Sequence, residues 1–285
     1  MVEHADMETD IRGREASENF PVALRLLPRA YRDDLHAVYA FARVVDEAGD
    51  SLDGERLVRL AELGDDLDRI WDSGTPTDPV IRRLVPTVRR RAMTDAPFHR
   101  LIAANVQDQS QSRYPTFDDL RGYCRLSAEP VGRMVLQIFG QADSEFVRAR
   151  SDDVCAALQL LEHWQDVGED RRAGRVYMPQ EDLLAYDVPE TDLDATVASD
   201  RLCTLMRFEI DRAERLLEQG TVIVSLLRGW ARVCVAGYVA GGRATVEALR
   251  RTGGDVLGQD TTPSRLAIAG HLLGLLVEPR PGVRR

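Results

Sequence analysis

Two acidic stripes, each at helical spacing, limit the fold of this chain more than any other feature. In residues 159–182, QLLEHWQDVGEDRRAGRVYMPQED, the side chains Gln159, Glu162, Asp166 and Asp170 recur at offsets of three and four. Wound at about 100° per residue, they fall within roughly 80° of one another. Like charges four residues apart on a surface helix repel, so something must offset them. Solvent can do so, with Arg171, Arg172 and Arg175 just downstream; so can a bound hard cation, which takes oxygen ligands from carboxylates. One acidic pair reads as a solvated face. A second stripe shifts the balance, and it lies in residues 37–50, AVYAFARVVDEAGD. There Tyr39, Arg43, Asp46 and Asp50 share a narrow band whose flanks, Val38, Phe41, Ala42, Val44 and Val45, are apolar. Two acidic faces on partly apolar helices imply a polar pocket inside a helical protein.

No stretch alternates with period two for long, so the expected architecture is all-α and one domain. Helical spacing predicts helices over residues 30–51, 57–71, 80–92, 98–109, 144–171, 201–219, 222–252 and 263–277, with another starting at Thr116. Neither helix 80–92 nor helix 98–109 shows a chemical signature by itself. Pro130 and Gly132 predict a kink near Glu129. Tyr123 lies about two turns before that kink, and its hydroxyl needs a partner if buried. A loop carrying Arg171, Arg172, Arg175 and Tyr177 follows the 159–170 stripe and is placed to close over an anion. Gly229, Gly237, Gly241 and Gly242 recur in the long apolar helix and read as close-packing positions. Residues 222–242 and 266–277 are apolar but read as buried helices, since neither reaches the ~20 uncharged residues of a membrane span. Residues 1–17 are expected to form a flexible tail, 18–278 the helical domain and 279–285 a disordered tail.

At 285 residues, 44% hydrophobic, the chain can bury one sizeable core. Its net charge of −10 argues against a nucleic-acid partner, which clustered Lys and Arg would have to neutralise. Cys124, Cys155, Cys203 and Cys234 are isolated, so neither a zinc site nor a disulfide frame is indicated and a reducing cytoplasm fits. The acidic N-terminus lacks the apolar run of a secretory signal. Neither GxGxxG nor GxxxxGK[ST] occurs, so no NADPH is expected. No Glu-x-x-His occurs either, which disfavours a carboxylate-bridged di-iron bundle.

Taken together, the two DxxxD helices with Tyr39 and Arg43 ahead of the first, YCRLSAEPVG, and QDVGED followed by GRVYMPQEDL resemble the squalene/phytoene synthase family. The likeness covers roughly residues 18–270. Within it, ENFPVALRLLP, the QDQ…RYPTFDDL run and WQDVGEDRRAGRVYMPQEDL are most similar to the bacterial hydroxysqualene synthase branch, associated with hopanoid pathways.

The resemblance implies the class I terpenoid (isoprenoid) synthase fold, a single helical domain around a central cavity. It places metal-binding aspartates at Asp46, Asp50, Asp166 and Asp170, a diphosphate-contacting arginine at Arg43, pocket tyrosines at Tyr39 and Tyr123, and a substrate-contacting glutamine at Gln159. Phe20, Glu162 and Arg175 complete the expected substrate contacts. Glu162 stands where many relatives carry Asn, Asn19 where many carry a small hydroxyl residue, and Glu129 where an amide is common. Glu162 either adds a ligand or weakens diphosphate binding.

The expected chemistry is Mg²⁺-dependent ionisation of presqualene diphosphate, with several ions per site, and capture of the cation by water to give hydroxysqualene. A prenyl-coupling synthase making presqualene diphosphate, squalene or phytoene is the alternative. A non-catalytic assembly or binding protein is a third reading, which retention of all four aspartates disfavours. Partners then include the isoprenoid diphosphate and, by functional coupling, other squalene-pathway enzymes. Location is expected in the cytoplasm, with peripheral contact at the inner membrane face left open.

Overall fold

The computed structural model describes residues 27–50, 54–72 and 74–277. The expected N- and C-terminal tails, and with them Asn19 and Phe20, lie outside the described residues. Helices follow one another as α1 (Arg29–Asp50), α2 (Arg56–Asp68), α3 (Pro79–Arg91), α4 (Ala96–Asp108), α5 (Phe117–Ser127), α6 (Glu129–Ile138), α7 (Glu145–Gln165), α8 (Val167–Arg172) and α9 (Gln180–Ala185). A 3₁₀ turn (Glu190–Asp194) leads to α10 (Asp200–Thr221), α11 (Ile223–Leu226), α12 (Gly229–Arg251) and α13 (Arg265–Val277). The one β-bridge among the described residues joins Arg113 to Val176.

Local chemistry sets many of the boundaries. Asp78 caps α3 by accepting from the backbone N–H groups of Val80 and Ile81 at 2.7 and 3.0 Å. Thr116 and Asp119 form a reciprocal capping box at the start of α5. The break expected near Glu129 falls at Ala128, between α5 and α6, where Pro130 cannot supply a helical N–H.

Two helices expected to be continuous are divided. The stretch 144–171 bends at Asp166 (φ −101°, ψ 14°), with Gly168 just beyond offering little helix propensity. Backbone bonds Asp166 N–H to Glu162 O (3.0 Å) and Asp170 N–H to Asp166 O (2.8 Å) carry the i→i−4 pattern through the bend. The stretch 222–252 breaks after α11. Gly229 opens α12 with φ +56°, a left-handed turn that favours glycine, so it is a hinge of the chain path rather than a packing position.

The apolar interior forms two clusters. One is built on α1 to α4 and α6 and includes Phe41, Leu60, Ile81, Phe98 and Met134. The other gathers around α5, α7, α10 and α12 and includes Trp164, Leu161, Met206, Leu217 and Val239. α12 is buried as expected, but α13 is not: of its residues only Leu275 is buried. No described helix is long and apolar enough to cross a membrane.

Candidate active site

The site lies at the seam between the two clusters. α1 approaches α4 so closely at Gly49 that an added Cβ would run into the Asn105 side chain, which is why glycine stands between the two acids. Asn105 donates from Nδ2 to Asp46 Oδ1 at 3.2 Å, and Gln109 Nε2 donates to the Gly49 carbonyl at 3.1 Å. Beside this contact opens a polar pocket of about 310 Å³. Its walls are Arg43, Asp46 and Asp50 from α1, Asn105, Asp108 and Gln109 from α4, Tyr123 from α5, Gln159 and Glu162 from α7, and Arg175 and Tyr177 from the segment after α8.

That segment is pinned by backbone bonds. Val176 N–H donates to Ser112 O at 2.9 Å and Gln180 N–H to Tyr114 O at 2.9 Å. Arg175 connects the two acidic helices: its backbone N–H donates to Asp170 O at 2.8 Å, and its guanidinium lies 3.5 Å from Asp50 Oδ1. Tyr177 stacks on His163, ring centres 3.6 Å apart, and Tyr123 lies 5.7 Å from Tyr177. The Tyr123 hydroxyl donates to Asp108 Oδ2 at 2.8 Å, the partner its burial requires.

Burial pushes the Asp46 carboxyl up to about 6, against the pull of Asn105 and Arg43, with Asp50 and Asp108 adding repulsion. Asp108 is raised for the same first reason, opposed by its bond from Tyr123, and its Oδ1 is buried with no hydrogen-bond partner among the described residues. Asp166 is raised by burial and by Asp170 and Glu169. Burial drives the Tyr123 phenol well above its ordinary value and that of Tyr177 up to about 12, so both stay neutral.

The expected residues do not all meet in one pocket. Arg43, Asp46, Asp50, Tyr123, Gln159, Glu162 and Arg175 do. Asp170 borders a small adjoining space with His163, whose Nδ1 lies 3.8 Å away, and that space shares Arg175 and Tyr177 with the pocket. Asp166, half-buried at the bend, and Tyr39, half-buried on α1, line neither. Arg171, expected over an anion, is instead committed to Glu190 and Asp194 at 2.9 and 2.7 Å. Glu129 is buried against Arg121 at 3.4 Å, away from the pocket lining.

Helix 98–109 does carry chemistry: Asn105, Asp108 and Gln109 were missed as site residues. Their signal is the spacing of Asn105, Asp108 and Gln109 at offsets of three and four, a polar stripe on an otherwise largely apolar helix. Through Ser127, Gln159 and Glu162 the polar pocket borders an apolar cavity of about 170 Å³, walled by Val131, Val135, Val154, Leu158, Val235 and Tyr238.

The donor set suits a hard divalent ion. It consists of carboxylate oxygens, two of them on groups whose charge burial leaves under-compensated. No three Asp, Glu, His or Cys side chains among the described residues converge so as to hold a metal ion by themselves. A hard divalent ion held here would need phosphate oxygens of a substrate beside one or two of these carboxylates.

The Squalene/phytoene synthase family profile matches residues 14–267. The chain belongs to this family. The family's members are enzymes that process isoprenoid diphosphates. Among its relatives in the squalene/phytoene synthase family, a phytoene synthase of Mycobacterium tuberculosis is 34% identical over 244 residues, 82% of this chain and 78% of the relative. A hydroxysqualene synthase of Rhodopseudomonas palustris is 31% identical over 216 residues, 75% of this chain and 72% of the relative. The crystal structure of squalene synthase HpnC from Alicyclobacillus acidocaldarius superposes with a TM-score of 0.79 at 36% identity, over 90% of this chain and 97% of that one. The fold is the class I isoprenoid synthase helical fold of these enzymes.

Proposed function

We propose that this chain ionises presqualene diphosphate and captures the resulting carbocation with water, releasing hydroxysqualene and diphosphate. The observation that carries the proposal is the junction at Ser127, Gln159 and Glu162, where a pocket of carboxylates and arginines borders an apolar cavity. A diphosphate on a hydrocarbon needs both. Similarity to hydroxysqualene synthases supports this branch.

Arg43 and Arg175 are the cations that bind the leaving group and stabilise it as charge develops. Asp46, Asp50, Asp166 and Asp170, with Asp108 added from its position, are the residues that would hold Mg²⁺. When bound, that ion neutralises phosphate oxygens and assists departure of the diphosphate. Arg175, touching Asp170 through its backbone and Asp50 through its side chain, sets the distance between the two acidic segments. Tyr123 and Tyr177 present neutral aromatic faces toward developing positive charge, and Asp108 fixes the Tyr123 ring. Gln159, Ser127 and Glu162 offer polar groups at the neck, where a water meets the hydrocarbon cation. The C–O bond to diphosphate breaks, the cyclopropylcarbinyl cation rearranges, a cyclopropane C–C bond opens as the water oxygen bonds a ring carbon, and the released proton leaves with the aqueous diphosphate.

The test is purified protein with presqualene diphosphate, Mg²⁺ and no reductant. Hydroxysqualene and diphosphate in equal amounts are expected. Product formed from farnesyl or geranylgeranyl diphosphate alone would replace this assignment with prenyl coupling, the alternative favoured by the similarity to phytoene synthases.

A further inference from the structure

We propose that the exposed face of α13 is a docking surface for an anionic lipid bilayer. A helix apolar on all sides is normally buried. This one, RLAIAGHLLGLLV, is not: Leu266, Leu273 and Val277 are 85%, 65% and 79% exposed and fall at offsets of seven and eleven, a single stripe. Arg232 donates from Nη2 to the carbonyls of Leu275 and Leu276 at 3.1 and 3.2 Å, tying the end of the stripe to the start of α12. There Trp230 is 40% exposed. The exposed leucines and valine of α13 and the neighbouring Trp230 make one apolar surface, with basic side chains at its edges.

Charge selects the occupant. The chain carries −10 overall, yet α13 has no acidic residue, and the carboxylate of Glu247 near it is engaged by His271 at 2.8 Å. Arg265 at one end and Arg228 at the other are exposed. An antiparallel second copy would set Arg228 against Arg265, like against like. Anionic headgroups neutralise both, and an apolar stripe with a basic patch is the two-part signal that surface binding needs. At 13 residues the helix is roughly 20 Å long, too short to span a bilayer of about 30 Å, so it lies on the surface. The exposure and charge of this face stand independently of the reaction proposed above.

The experiment is flotation of the full chain with vesicles of phosphatidylglycerol and phosphatidylcholine, and with phosphatidylcholine alone, across salt concentrations. Binding to the anionic vesicles is expected, weakening with salt. Leu266→Ser with Leu273→Ser should lower it by about tenfold or more, while Arg228→Gln with Arg265→Gln should remove most of the salt dependence without touching the apolar face. Circular dichroism checks that each variant folds. Wild-type protein that stays unbound, or serine and glutamine variants that bind as wild type does, would overturn the proposal. So would a solution dimer that the serine variant converts to monomer, with no vesicle binding.

Discussion

At the scale of single residues the site is a set of acids held in unfavourable surroundings. Asp108 is the clearest case: it is buried, raised in pKa by that burial, satisfied on one oxygen by Tyr123 and on the other by nothing described. An acceptor left unpaired beside the pocket is placed to meet a bound group. Asp108→Asn should therefore lower kcat about 10²-fold or more while the thermal midpoint stays within a few degrees; a substitution that only destabilised would reverse this pattern. Arg175→Gln tests the bridge between the two acidic segments. Loss of its charge should raise KM for the diphosphate substrate about tenfold or more, measured in steady-state kinetics. The sequence made Arg43, Asp46 and Asp50 legible because their side chains repeat at helical spacing. It left Asp108 and Asn105 illegible because their importance comes from α1 packing on α4 at Gly49, a contact between residues more than fifty positions apart.

At the scale of elements, buried ion pairs fasten helices to one another. Asp34 of α1 is fully buried and accepts from Thr87, Arg90 and Arg91 of α3. Burial alone would raise this carboxyl, but the three hydrogen bonds outweigh it and hold it below its ordinary range. Asp34→Ala should cost about 2 kcal/mol in a urea unfolding titration, because it leaves the buried Thr87 hydroxyl and the mostly buried Arg91 without their partner, while the half-exposed Arg90 turns to solvent. The opposite sign operates at Glu209 of α10. Burial, with Asp182 close by, pushes this carboxyl up to about 9 despite Arg212 at 3.2 Å, so one guanidinium serves two acids and Glu209 keeps its proton. Its ordinary value is 4.5, so the unfolded chain ionises first as pH rises. The stability Glu209 contributes is full below that value and is lost between it and about 9, at most ~1.4 kcal/mol per pH unit. Glu209→Gln should flatten this decline, with urea midpoints at pH 5 and pH 8 as the measurement. Most element boundaries were legible because caps and prolines act locally. The bend at Asp166 and the left-handed Gly229 were not, because a glycine in an apolar run reads equally as close packing or as a turn. The exposure of α13 was hidden for a related reason, since apolar composition predicts burial without saying what supplies the cover.

At the scale of the whole molecule, two apolar clusters meet at a seam, and the polar chemistry occupies it. The all-helical plan was written in the periodicity and the family in the combined motifs. The relation between the two acidic segments was not, because it depends on Arg175 reaching from Asp170 to Asp50 across the seam. Asp46 and Asp50 line the pocket, whereas Asp170 stands behind Arg175 and Tyr177 and Asp166 sits at the bend. Under the proposed function these segments nonetheless serve one ligand. Isothermal titration of inorganic diphosphate with Mg²⁺ into wild type, Asp46→Asn, Asp170→Asn and the double variant tests this most directly. Binding that requires Mg²⁺, is lost in each single variant, and falls no further in the double variant is the predicted result. Binding unchanged by Asp170→Asn, or losses that simply add, would contradict a shared site.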